Sequence, residues 1–132
     1  MDFVSIRIIT GDVARLVDFY ERATGVQAVW ATEDFAELRT PHATLALAGT
    51  RTVPLFAPGS ARPADNRSVI TEFLVDDVDH VHQKLSGFVT DFVTEPTTMP
   101  WGNRSLLFRD PDGNLVNFFT PVSPAAREKF AR

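Results

Sequence analysis

Apolar and polar positions alternate along residues 3–9, FVSIRII, a stretch rich in β-branched residues, and predict a strand. The period then changes. Val13, Leu16, Val17 and Tyr20 stand at i, i+3, i+4 and i+7, which gives a helix one apolar face. Asp12, following Gly11, is the expected N-cap, and Gly25 suits the residue just past the last turn. Three short strands are predicted next, over 26–31, 34–39 and 43–48.

The second half repeats this order. Residues 68–75, SVITEFLV, predict a strand, and Asp76-Asp77 opens a helix with Val78, Val81, His82 and Leu85 on one stripe. Gly87 marks its end, and strands are predicted over 88–94, 103–109 and 115–120. Val13 falls on Val78, Leu16 on Val81 and Tyr20 on Leu85, a constant shift of 65 residues. The fold class is therefore α+β: two βαβββ modules, over 1–49 and 68–122, with cupped mixed sheets expected to pair across a dimer. Residues 50–67 hold three prolines and many polar groups and read as a linker. The tail, 123–132, opens with Ser123-Pro124, a cap and first-turn pair that predicts a short helix.

Strand alternation assigns faces. Val4, Ile6 and Ile8 are expected under the first helix, with Phe3, Ser5, Arg7 and Ile9 opposite. Leu45, Leu47, Val116 and Phe118 belong to the helix side. Thr44, Ala46, Ala48, Leu115, Asn117 and Phe119 then face away.

Composition narrows the functional classes. The net charge of −4 offers no basic footprint for nucleic acid. The absence of cysteine excludes disulfides, thiolate metal sites and Cys nucleophiles. No run approaches the roughly 20 apolar residues of a membrane span. MDFVSIRIITGD has neither the basic start nor the apolar run of a signal peptide, so a cytoplasmic protein is expected.

Met99-Pro100-Trp101-Gly102-Asn103-Arg104, followed by Phe108-Arg109-Asp110-Pro111-Asp112-Gly113-Asn114, resembles the last hairpin of the glyoxalase/bleomycin-resistance/dioxygenase group, the vicinal oxygen chelate superfamily. Gly11-Asp12, Asp18-Phe19-Tyr20 and Gly25 look like its first-helix signature, and Val75-Asp76-Asp77-Val78-Asp79 like its second. The resemblance spans nearly the whole chain in the correct order. The Asp110–Gly113 turn needs no catalytic role. Proline presets φ, glycine supplies positive φ, and the aspartates cap backbone N–H groups.

Family enzymes hold a divalent metal on His, Gln or Glu at four inward positions. The resemblance carries these onto Ser5, about Ala46, Ile70 and Asn117. Such side chains do not form a divalent site, which wants carboxylate or imidazole ligands. His80 and His82 diverge on a helix, and His82 sits on the apolar stripe as a packing residue. His42 follows Pro41 in a turn. No metal and no cofactor are therefore expected. The chain is placed with the metal-free, bleomycin-resistance-like branch.

Three functional readings remain: a binding module ranked first, a metal-free enzyme second, and a metal-dependent enzyme with displaced ligands last. In the first, the chain binds an aromatic or peptide-like small molecule, such as an antibiotic held for resistance or self-protection. Trp101, Phe56, Trp30, Phe35 and Phe92 offer apolar planes for stacking, and Arg7, Glu72, Asn117 and Arg104 offer polar contacts that fix orientation. Each ring is as readily core or dimer interface. Trp101, in a loop beside Gly102, is the foremost ligand contact. The second is a family enzyme, a lyase or isomerase acting on a small metabolite, with Glu72 as its base, alone or with His42 or His82. No nucleophile–base spacing and no phosphate-cradling glycine loop supports catalysis, so no catalytic residue is assigned.

Overall fold

The computed structural model describes residues 1–131, which form two compact units divided after Asn66. In the first, strand β1 (Ser5–Thr10) leads into helix α1 (Val13–Thr24), followed by β2 (Val29–Thr32), β3 (Phe35–Arg39) and β4 (Thr44–Gly49). The sheet order is β1-β4-β3-β2, with β1 and β4 parallel and the other pairs antiparallel. The Asp12 carboxylate accepts the Arg15 amide at 3.1 Å and starts α1. Gly25, at φ 73°, stops it in the left-handed conformation that suits glycine. Leu16, Val17 and Tyr20 are buried, as are Leu45 and Leu47, and α1 packs on β3 and β4. Val4, expected under the helix, precedes the strand and is exposed.

The stretch expected as a linker opens with a 3₁₀ turn, Thr50–Thr52, and a short helix α2 (Val53–Phe56) with proline in its first turn. These belong to the first unit.

The second unit repeats the order with β5 (Ile70–Leu74), α3 (Val78–Leu85), β6 (Thr97–Thr98), β7 (Asn103–Arg109) and β8 (Leu115–Pro121), in sheet order β5-β8-β7-β6. Asp77 caps α3 as Asp12 caps α1. The repeat extends to register. Arg7 lies beside Ala46 on the parallel pair of the first sheet, and Glu72 beside Asn117 on that of the second.

Residues 88–94 depart from the predicted strand. The Phe88 and Val89 amides turn back to the Leu85 carbonyl at 3.0 and 2.8 Å, prolonging the end of α3. Val93 and Thr94 both donate to the Leu107 carbonyl, so two residues oppose one and the ladder is broken. Pro96 has no amide to resume it. Only an isolated bridge, Phe92 to Phe108, and the two residues of β6 pair with β7 there. Ser123 then caps α4 (Pro124–Lys129), its hydroxyl accepting the Ala126 amide at 3.1 Å.

No helix among the described residues is long and apolar enough to cross a membrane.

Candidate functional site

Each sheet has one face under its helix and one open face. Alternation on β1 puts Ser5, Arg7 and Ile9 on the first open face. The neighbouring strand β4 adds Ala46 and Ala48 directly beside Arg7 and Ile9, and β3 adds Glu37 and Phe35 beyond them. The two alanines are buried yet carry only a methyl group. They form a low floor, and Arg7 crosses it. Its guanidinium carbon stands 4.6 Å from the Phe35 ring centre and 5.2 Å from that of Phe56, which α2 presents. Both contacts are within cation–π range. Phe56 is 71% exposed, and the Glu37 carboxylate is held by Arg39 at 2.9 Å.

The second open face carries Ile70, Glu72 and Leu74 of β5, Leu115, Asn117 and Phe119 of β8, and Asn103, Ser105, Leu107 and Arg109 of β7. The Asn117 amide donates to Glu72 at 2.8 Å. Asn117 is only 8% exposed and Ser105 only 4%. The Asn117 Oδ1, the Ser105 Oγ and the Asn103 Oδ1 are all buried without a hydrogen-bond partner. Each such atom costs on the order of 1–3 kcal/mol. All three belong to the same sheet face.

At the end of this face lies a depression of about 230 Å³ lined by Trp101, Asn103, Ala125, Ala126, Lys129 and Phe130. Trp101 sits between β6 and β7 and is 67% exposed. Phe130 meets Phe119 edge-on, with ring centres 5.0 Å apart. Gly102 joins the two walls. Its carbonyl accepts the Val122 and Ser123 amides at 2.9 and 3.1 Å, and its φ of +94° is open to glycine and strained for other residues.

Nine residues were candidates from sequence, and six of them fall into three local groups. Arg7, Phe35 and Phe56 meet in the first unit. Glu72 pairs with Asn117 in the second, and Trp101 stands in the depression beside α4. Three lie elsewhere. Trp30 pairs with Ala36, in the row of Leu47 and Ile8, and so is on the helix side of its sheet. Phe92 packs between His82 of α3 and Phe108, at ring-centre distances of 5.0 and 6.3 Å. Arg104 points to the helix side and grips Asp79 of α3 through two bonds of 2.8 and 3.0 Å. That hydrogen-bonded guanidinium holds the Asp79 carboxyl below the usual aspartate range. Asn103, Ser105, Lys129 and Phe130 were not singled out from sequence. Alternation along NRSLLFR puts Asn103 and Ser105 opposite Phe108, a signal available without the structure.

The donor set does not fit a divalent metal. Of Ser5, Ala46, Ile70 and Asn117, two have no donor atom. Asn117 spends its amide N–H on Glu72 and offers one neutral oxygen. Among the described residues no group of three or more His, Cys, Asp or Glu side chains converges.

Comparison with known proteins agrees with this architecture. Among solved structures, a glyoxalase/bleomycin resistance protein/dioxygenase from Nocardioides superposes with a TM-score of 0.75 at 21% identity, over 94% of this chain and 85% of that one. A glyoxalase/bleomycin resistance protein/dioxygenase family enzyme from Burkholderia phytofirmans PsJN gives 0.79 at 18%, over 92% and 100%. A protein of unknown function from Agrobacterium tumefaciens gives 0.79 at 23%, over 92% and 95%. At these identities the likeness concerns the fold. No curated protein matches. The family model of the Glyoxalase/Bleomycin resistance protein/Dioxygenase superfamily matches residues 2–118, so the chain belongs to that superfamily.

Proposed function

We propose that this chain is a metal-free binding protein of the superfamily that sequesters an aromatic or peptide-like small molecule, as an antibiotic-resistance or self-protection protein would. The observation that carries the reading is the substitution of the metal ligands by Ser5, Ala46, Ile70 and Asn117, on open faces that keep aromatic and polar groups. Fold membership alone would not choose between binding and catalysis. Sequestration needs only affinity. A ring stacked on a large aromatic gains about 0.5–1.5 kcal/mol beyond its buried area. Trp101, Phe35 and Phe56 offer aromatic planes, and the exposed Arg7 and Glu72 side chains are polar groups that can fix orientation.

The alternative, a lyase or isomerase acting on a small metabolite, draws on Glu72. It is the one acid among the β5, β7 and β8 residues of its open face, and it is exposed. Tryptophan-fluorescence titration of an antibiotic panel, with mass spectrometry of the recovered compounds, separates the two. The binding reading expects saturable quenching and unchanged compounds. Conversion abolished by Glu72→Gln would favour the enzyme.

A further inference from the structure

Arg7 is arranged differently from the arginines that grip carboxylates in this chain. Arg39 holds Glu37, Arg51 holds Glu33 and Asp34, Arg62 holds Asp65 and Arg104 holds Asp79. Arg7 has no carboxylate partner among the described residues, although it lies on the same sheet face as Glu37. It is positioned by carbon. Ala46 and Ala48 leave room for the side chain to lie across β4, and its guanidinium carbon stands over the Phe35 and Phe56 rings. A guanidinium can meet an aromatic ring with the face of its plane. The N–H donors point outward within that plane and match the two oxygens of a carboxylate. Much of the entropy cost of fixing a long side chain is met before any ligand arrives.

We propose that Arg7 is an oxyanion-receiving group, and that the first unit takes a planar carboxylate attached to an aromatic body. The carboxylate docks edge-on to the guanidinium, and the body lies along the exposed Phe56 ring. This deepens the binding-protein reading and rests on it for the expectation of a small-molecule ligand.

The test uses the full chain and three isosteric probes: benzoate, neutral benzamide and cationic benzamidine. The ¹H–¹⁵N cross-peak of the Arg7 Nε–H group is assigned by its loss in Arg7→Lys. It should shift saturably with benzoate and stay in place with the other two. Arg7→Gln should weaken benzoate binding tenfold or more. Arg7→Lys, which keeps the charge and loses the fork, should weaken it several-fold. Phe56→Ala should weaken it and leave the amide spectrum of the sheet unchanged. Equal binding of benzoate and benzamide, or undiminished benzoate affinity in Arg7→Gln, would overturn the proposal. If neutral or cationic aromatics bind, are recovered intact and leave the Arg7 peak unmoved, the anion assignment falls and the binding-protein reading survives. If an aromatic carboxylate engages Arg7 and is then chemically converted, the assignment stands and the binding-protein reading falls.

Discussion

Gly102→Ala probes the joint that holds the α4 tail against the second sheet. Two costs add. Alanine at φ +94° is strained by about 1–2 kcal/mol relative to glycine. The new methyl would also stand 2.7 Å from the Ser123 Cβ and 3.2 Å from the Ala126 Cβ, so Ser123 has to move. Ser123 is the cap of α4, and losing a serine cap costs about 1 kcal/mol. The sum is roughly 2–3 kcal/mol. In a chain of this size that lowers the melting temperature by roughly 6–10 °C. The helix should loosen with it, so trypsin should cut after Arg127 faster than in the parent. In a Ser123→Gly background the overlap with Ser123 disappears, leaving the φ strain and the 3.2 Å approach to the Ala126 Cβ, so Gly102→Ala should then cost less than in the parent. A melting point within about 1 °C of the parent, with unchanged cleavage at Arg127, would refute this account of the joint.

Asp110 is buried and accepts the Asp112 and Asn114 amides at 2.9 and 3.0 Å and the Asn114 side-chain amide at 2.9 Å; Asp110→Ala should cost on the order of 3 kcal/mol by urea unfolding. The Asp79 carboxyl titrates low because Arg104 holds it, so its contribution is present above the unfolded-state value and is lost as pH falls through the folded one. The stability gap between parent and Arg104→Gln should therefore persist at neutral pH and close on strong acidification; a pH-independent gap would mean that packing, not the ion pair, sets it. Trp101→Ala should weaken ligand binding roughly tenfold or more and leave the melting temperature nearly unchanged. The opposite pattern would make Trp101 a structural residue. Open sheet faces with exposed Ile70, Leu74 and Val29 suit pairing of modules across a homodimer, which light scattering at micromolar concentration should register.

The parts of the fold legible in the sequence are those set by local chemistry. Asp12, Asp77 and Ser123 cap helices because a short side-chain acceptor reaches an amide three residues on. The Asp110–Gly113 turn is likewise written in adjacent residues. What escaped reading depends on distant partners. FVTDFVT has the composition of a strand, yet the Leu85 carbonyl, the doubled bond to Leu107 and Pro96 keep it from the ladder. Arg104 reads as a free cation until α3 brings Asp79 across 25 positions of chain. The side of the sheet that Trp30 occupies follows from its pairing with Ala36, beside an irregularity before Thr32. The placing of Arg7 depends on β4 lying parallel to β1 and offering alanines, a juxtaposition that alternation alone does not reveal.

On the proposed function, the chain holds a small molecule without metal and without converting it. Native mass spectrometry of metal-stripped protein against a panel of aromatic and peptide-like antibiotics, before and after addition of Zn²⁺, Ni²⁺, Mn²⁺ or Fe²⁺, tests it directly. A complex at micromolar concentration, an unchanged ligand mass, and no retained metal or change in occupancy when the ions are added are the expected results. Retention of about one metal per chain, together with metal-dependent conversion of the bound compound, would contradict it.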